Sequence, residues 1–484
     1  MASAAKNSVY YGIGSIARAL TSFLLLPIYA NILGASQYGV LNLLQTFSAV
    51  VAPIMTLAVE KSIYRLYFDY KTDDEKRVFL STVFWSINIT SVLIILICVL
   101  LGNKIASYLG GVDVVTILYP VVLYTYLSAL ITFCQIILQT QQEGGKYLVV
   151  SLLLLVIYNV LALLFLFYWT PTYKAEVYAS LINFLVVLPV AFFFIREQIS
   201  FRFDYSVFKK VLSYTMPLFM MSMFSWILSA SDRLFIANYQ NTTDVGLYSM
   251  AFKMASIALM FVGAIKQAFD PYFFNIVNSY DEENAKKYVK PVNDTMIFLT
   301  SMLYLCVIVF GKLFVGLFLN EEYQSCIIYL YLLVVSGMFT QQATMLNVMI
   351  LQNRKTMLLS IITITGGVLS LVLNAILIPL FGSVVAAVNS MTVGIYMFIL
   401  TFIFAKKNYY VKVDFGNIWA VMMVFALCYF VDYSMGNIIM GAIVKLIMSS
   451  LCVFALTKIK VFTYPSLGVV INRALNKVGI NSKL

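Results

Sequence analysis

Arg18 stands in the stretch GSIARALTSFLLLPIYANIL, residues 14–33, which is otherwise apolar enough to span a membrane. At 100° per residue, Tyr11, Ser15, Arg18 and Ser22 share one helix face. A second cation, Lys253, shares a face with Ser249, Ser256, Gly263 and Gln267. By rise per residue, Arg18 lies about 14 Å and Lys253 about 12 Å from the near end of its span. Both are then close to the middle of a hydrocarbon core about 30 Å thick. A cation at that depth costs about 2.5–3.5 kcal/mol on insertion scales. Two such cations, each in a row of hydroxyls, suit an anion, and the planar fork of Arg18 suits a phosphate.

Carboxylates at depth are few. Asp232 falls on a face with Ser222, Ser225 and Ser229, and Glu60 on a face with Asn42, Gln45 and Thr56. Each is a candidate for coupling or gating, holding a proton or sodium ion in one state and pairing with a cation in another. Arg233 points off its face and joins them as a gating candidate. The plain alternatives stay open: Ser, Thr and Asn hydrogen-bond between packed spans, and Asp232–Arg233 and Glu60–Lys61 would make ion pairs at the membrane edges. Lys445 is mid-span, with no role readable from its neighbours.

Other chemistries are excluded. There is no histidine, so no His-based metal site or proton relay, and the six cysteines show no CxxC spacing. EGGKY lacks both the spacing and the Ser/Thr of a nucleotide-binding P-loop. The acidic run TDDEKR, residues 72–77, reads as a solvated turn rather than a catalytic loop. The chain is therefore expected to be no enzyme and to need no cofactor or metal.

These side chains must be carried by membrane spans. Of 484 residues, 62% are hydrophobic and 11% charged, and no polar stretch is long enough for a soluble domain. Hydropathy predicts helices near 9–33, 40–60, 79–101, 114–138, 148–168, 177–195, 212–236, 245–268, 294–318, 325–350, 359–380, 384–405, 415–432 and 437–457. The longest expected connections are 61–78, 196–211 and 269–293. Twenty-four of the 32 Lys and Arg fall in alternate connections and the termini, and two, Lys104 and Lys174, fall on the other side. The positive-inside rule then puts both termini in the cytoplasm. The net charge of +11 is explained by these loops, so nucleic acid is not an expected partner. Met1 to Ser8 reads as a polar lead into the first span, not a cleavable signal.

An internal repeat organises the spans. YANILGASQYGVL (29–41) and IANYQNTTDVGLY (236–248) align at an offset of 207, which matches Ala30, Asn31 and Gly39 to Ala237, Asn238 and Gly246. The same offset sets Ser15, Arg18 and Ser22 on Ser222, Ser225 and Ser229. Two six-helix halves of the same orientation imply parallel repeats about an axis along the membrane normal. The expected fold is an all-α polytopic membrane protein of about 14 helices. Residues 1–200 form an N-lobe, 201–410 a pseudo-two-fold-related C-lobe, 411–460 two further helices and 461–484 a cytoplasmic tail. The polar faces of helices 1, 2, 7 and 8 are expected to line a water-accessible cavity between the lobes.

The same residues carry a resemblance. NSVYYGIGSIARALTSFLLLPIYANILGASQYGVLNL with SIYRLYFDY, SASDRLFIANYQNTTDVGLYSMAFK, and LNAILIPLFGSVVAAV (373–388) resemble segments of Wzx-type polysaccharide and O-antigen flippases. That family shares a superfamily, MOP, with MATE exporters and the lipid II flippase MurJ. The resemblance implies alternating access and transport of undecaprenyl-pyrophosphate-linked oligosaccharide across a bacterial inner membrane. It implies a polysaccharide polymerase or other assembly proteins as partners. Arg18 and Lys253 would meet the pyrophosphate, with Ser15, Ser22, Ser225, Ser229 and Ser256 around them. Helices 13 and 14, with Lys445, would border a groove for the lipid tail. A MATE-type antiporter and a MurJ-like lipid II flippase are the alternative expectations.

Overall fold

The computed structural model describes residues 2–353, 355–411, 416–434 and 438–458, and for some residues within helices it describes the backbone alone. The expected cytoplasmic tail, 461–484, lies outside the described residues. Every regular element among those described is helical. Eleven helices are long and apolar enough to cross a membrane, and Met422–Asp432 and Ile438–Leu451 are shorter apolar segments. This is a multi-pass membrane protein.

The stretch Ala2–Thr56 holds two helices that meet at a kink at Gly34, φ 69°, ψ 168°. That backbone region is essentially open to glycine alone, because a Cβ would collide with the neighbouring peptide. Gly34 therefore divides the 55-residue stretch into the first two expected passes, with no loop between them. Gly382, at φ 84° and ψ −172°, makes the same kind of break between Thr356–Phe381 and Val384–Lys407.

Three expectations about element limits are corrected. The second pass stops at Thr56, not at residue 60: Leu57 and Ala58 both have positive φ, 49° and 55°. The chain re-enters helical geometry only as a 3₁₀ turn, Val59–Ser62. Glu60 is thus not on the Asn42–Gln45–Thr56 face, since the left-handed pair resets the angular phase on which that face depends. The expected connection at 269–293 is mostly helix: Thr242–Ser279 and Glu282–Phe318 meet at a two-residue turn. Asp281 caps the second of these through the Asn284 amide at 3.2 Å, and Lys266–Asp270 and Lys290–Asp294 pair one turn apart at 2.6 and 2.7 Å. Charged residues at i,i+4 support a helix that hydropathy alone cannot see. Finally, the expected connection at 61–78 is short-helical to Asp69, and Thr72 with Glu75 then forms a reciprocal cap that starts the helix Asp73–Leu100.

The contacts divide the chain into two compact units, Met1–Gly246 and Leu247–Leu484. In the first, Phe79, Leu80, Val83 and Ile87 pack with Phe133, Ile137, Val187, Ala191 and Ile195 in one core. The opposite edge of the same Asp73–Leu100 helix exposes Ile89, Val92, Leu93 and Leu96, as a lipid-facing surface requires. In the second unit, Gly394 brings Val384–Lys407 close to Cys326–Gln352: a Cβ there would stand 2.9 Å from the Ser336 carbonyl oxygen. Asn389 donates to Asn374 Oδ1 at 2.9 Å, both side chains buried. Small residues at close crossings and amide bonds between helices are how spans associate without a hydrophobic driving force.

Candidate functional site

In the first unit, Arg18 lies exposed on the expected polar face of the first pass. Its Nε donates to the Gly14 carbonyl one turn back at 3.3 Å. Ser22 is exposed too, and so are Ser225 and Ser229 on the helix Tyr205–Tyr239. The side chain of Ser15 lies outside those described. The offset of 207 thus sets two exposed residues of the first pass, Arg18 and Ser22, on two exposed residues of the seventh. These residues face the outside of the packed protein within otherwise apolar helices, where lipid or water must meet them.

Asp232 and Arg233 are buried, 2% and 6% exposed. The Arg233 guanidinium donates to the Ser229 carbonyl at 2.9 Å, so it caps the exposed serine's turn from inside the unit. Glu60 is buried as well, and its Oε2 has no hydrogen-bond partner among the described residues. Its neighbour Lys61 does not simply neutralise it: the Lys61 ammonium donates to Ser222 Oγ at 2.6 Å. The strained Leu57–Ala58 turn therefore buries a carboxylate and sends the adjacent cation to the polar face of the Tyr205–Tyr239 helix. Non-glycine residues held at positive φ cost about 1–3 kcal/mol each and gather at functional sites.

Two further ties reach the first turns of Tyr205–Tyr239 and the segment just before it. Asp69 accepts from Arg65 at 2.8 Å and from Lys210 at 3.1 Å. The Lys210 and Arg65 hydrogen bonds hold its carboxyl below the usual carboxylate range. Arg202 contacts both oxygens of Asp74 at 3.1 Å.

At the other end of the first unit the repeat closes on itself. A Cβ on Gly39 would fall 1.8 Å from the Thr242 carbonyl oxygen, and one on Gly246 would fall 1.9 Å from the Ala35 carbonyl oxygen. Beside them, Ser36 Oγ and Thr242 Oγ1 are 2.9 Å apart.

In the second unit, Lys253 and Ser256 are half-buried, and Ser256 Oγ donates to the Lys253 carbonyl at 2.7 Å. Lys445 is 1% exposed and its ammonium sits 3.0 Å from Asp432 Oδ2, so it closes on a carboxylate rather than lining a groove. The sequence reading missed Asp432; its placement 13 residues before Lys445, near the end of the preceding expected span, was the available signal. Among the described residues no group of three or more His, Cys, Asp or Glu side chains is placed to hold a metal ion.

A family model described as polysaccharide biosynthesis protein matches residues 28–328. Two relatives from Haemophilus influenzae are each 26% identical, one over 275 and the other over 274 residues. One of the two is named "Uncharacterized membrane protein". The match takes in 56% of this chain and 65% of each relative's own length. Among solved structures, the lipid II flippase MurJ in an inward closed conformation aligns with TM-score 0.71 at 14% identity, over 93% of this chain and 98% of that one. An inward-facing multidrug resistance MATE transporter of the MOP superfamily aligns with TM-score 0.66 at 13% identity, over 79% and 92%. At these identities the likeness shows the fold alone: the chain is folded like these two proteins.

Proposed function

Because the chain belongs to the polysaccharide biosynthesis protein family, we propose that it is a flippase for undecaprenyl-pyrophosphate-linked oligosaccharide. It carries the repeat unit from the inner to the outer leaflet of a bacterial inner membrane by alternating access, and it is not an enzyme. The observation that carries this reading is Arg18: a guanidinium left exposed at mid-depth of an apolar pass, in a chain with a MurJ-like fold. A permanent, bidentate cation suits a pyrophosphate and repels a cationic drug. In this reading Arg18 and Lys253 hold the pyrophosphate. Ser15, Ser22, Ser225, Ser229 and Ser256 supply hydroxyls along its path.

The lobes are residues 1–200 and 201–410, followed by the two helices of 411–460. Both termini are cytoplasmic, in keeping with the division of Lys and Arg, and a polymerase or other assembly protein receives the cargo outside. Without a nucleotide site, energy comes from an ion gradient, the membrane potential or removal of the product. Buried Glu60 and Asp232 are the coupling groups, with Arg233 gating beside Asp232. The MATE-like alignment supports a second reading, a small-molecule antiporter.

The deciding experiment reconstitutes the purified chain in vesicles with a fluorescent undecaprenyl-pyrophosphate oligosaccharide, and in parallel with a cationic dye. Leaflet exchange of the lipid, with no dye movement, is the expected result. Dye movement alone would replace this reading by the second. Reporter fusions after Asn103 and Thr172 should read outside and one after Lys287 inside; a cytoplasmic signal at Asn103 would overturn the orientation.

A further inference from the structure

The transport reading leaves one cation of the first unit without a task. The 3₁₀ turn Val59–Ser62 that follows the left-handed pair Leu57–Ala58 is packed tightly: Ala58, Val59 and Ile63 are buried. The Ala58 amide donates to Thr56 Oγ1 at 3.1 Å, the Lys61 amide to the Ala58 carbonyl at 3.1 Å and Ser62 Oγ to the Val59 carbonyl at 2.6 Å. The backbone beneath Lys61 is therefore fixed, and its flexible four-carbon stem is the part that can swing.

That stem brings the ammonium to Ser222 Oγ at 2.6 Å. Among the described residues this is the ammonium's one hydrogen bond, and no carboxylate lies within ion-pair distance of it. Glu60 is adjacent in the chain, but it is buried and does not pair with Lys61. An ammonium carries three N–H donors and a full charge. One neutral hydroxyl satisfies a single donor and none of the charge. Lys61 is half-buried, so part of its charge is withdrawn from water without a counter-ion, a cost that an anion relieves.

Ser222 can give the ammonium up without loss. Its own proton goes to the Leu218 carbonyl at 2.9 Å, so no donor is orphaned when Lys61 leaves. One turn on, Trp226 Nε1 donates to the Thr46 carbonyl at 3.2 Å, and Lys210 holds Asp69 at 3.1 Å. These ties keep the helix Tyr205–Tyr239 in place while the lysine moves. Ser222 also heads a row: Ser225 and Ser229 follow it at steps of one turn, and both are exposed.

We infer that Lys61 is a phosphate-binding residue, parked on Ser222 until the pyrophosphate of the cargo takes the place of that hydroxyl. The inference rests on the cargo proposed above. A phosphate oxygen accepts a charge-assisted hydrogen bond roughly twice as strong as a neutral one, so the anion displaces the serine. All three N–H bonds of the ammonium stay intact, and no proton is transferred. In the orientation proposed above, Lys61 stands at the cytoplasmic end of the serine row and receives the anion where the cargo enters.

The test is equilibrium binding of radiolabelled farnesyl pyrophosphate to the whole chain in phosphatidylcholine nanodiscs at fixed salt, with empty nanodiscs subtracted. Lys61→Met should weaken binding by about tenfold or more, the range for losing a hydrogen bond to a charged group. Ser222→Ala should tighten it by about two- to tenfold, because the anion no longer competes with a hydroxyl for the ammonium. Lys209→Met, which removes an exposed cation of the same helix, should match the wild type. Binding by the wild type that Lys61→Met leaves unchanged would overturn this assignment and leave the cargo reading standing; no binding by the wild type would overturn both. Weaker binding by Ser222→Ala would make the serine a ligand in its own right and overturn the exchange. Adding phosphatidylglycerol to the nanodiscs should leave the effect of Lys61→Met in place; its disappearance there would assign Lys61 to a lipid headgroup and overturn the assignment to cargo. Should Lys61→Met fail to fold, the sign of the Ser222→Ala change decides.

Discussion

Gly39 and Gly246 occupy equivalent places in the internal repeat and fit against each other reciprocally. Each lacks a side chain where the carbonyl oxygen four residues before the other passes within 2 Å of the missing Cβ: Thr242 for Gly39, Ala35 for Gly246. Ala35 and Thr242 are themselves separated by the repeat offset. The two approaches are equivalent when their sides are exchanged, so small residues that mark the repeat in the sequence meet one another here.

The close approach has a measurable cost if filled. Gly39→Ala and Gly246→Ala should each lower stability by about 1–3 kcal/mol, the range for overpacking a tight contact. The double variant should lose less than the sum, since the first substitution already separates the strained segments. Thermal unfolding in detergent checks both; full additivity would mean that the two glycines do not share one contact.

Ser36 and Thr242 give a way to lock the same place. Their hydroxyl oxygens are 2.9 Å apart, so the sulfurs of a Ser36→Cys/Thr242→Cys chain need to close by only about 1 Å to reach the disulfide bond length of roughly 2 Å. The pair should oxidise readily, seen as a persistent link after proteolysis between the two sites. If this end of the molecule opens during the cycle, the oxidised chain should stop transporting and a reductant should restore it. Transport unchanged by a complete cross-link would show that the contact is static.

Arg18→Ala should abolish transport while the amount of protein in the membrane is retained, because removing a cation from an apolar pass lowers its insertion cost. Arg18→Lys should restore only part of the activity, as a point charge replaces a fork. Complementation of a flippase-null strain is the measurement. Full activity of Arg18→Ala would confine the residue to a structural role.

Asp69 makes the stability pH-dependent in a known direction. Its carboxyl is held low by Lys210 and Arg65. The stabilisation is then fully present above the ordinary Asp value of about 3.9 and is lost as pH falls through the lower, folded value. Asp69→Asn should therefore unfold at the same temperature at every pH in that acid limb as far as this contact is concerned. The wild type should show the extra stability only above it. A pH series of melting curves decides; identical acid limbs would mean that the contact contributes nothing.

The long apolar passes were legible because each needs about 20 apolar residues, and that signal survives any packing arrangement. A break between the expected helices 9–33 and 40–60 was legible, yet its loop-free form at Gly34 was not, since φ cannot be read from hydropathy. The Leu57–Ala58 turn left no trace at all: neither residue favours positive φ, and only the surrounding contacts hold them there. That hidden turn is why Glu60 was assigned to a helix face it does not share. Asp432 was missed for a different reason: a carboxylate two residues from a helix end reads as interfacial. Its partners, Lys312 and Tyr331, come from helices about 100 residues earlier.

Gly34 and Gly382 turn one pass into the next with almost no intervening chain. A protease, an antibody or an inserted tag needs a protruding strand of several residues to engage, and neither turn offers one. Probes for the first unit must instead aim at Leu109–Asp113 or at Trp169–Thr172, where the backbone leaves helical geometry and several side chains are exposed.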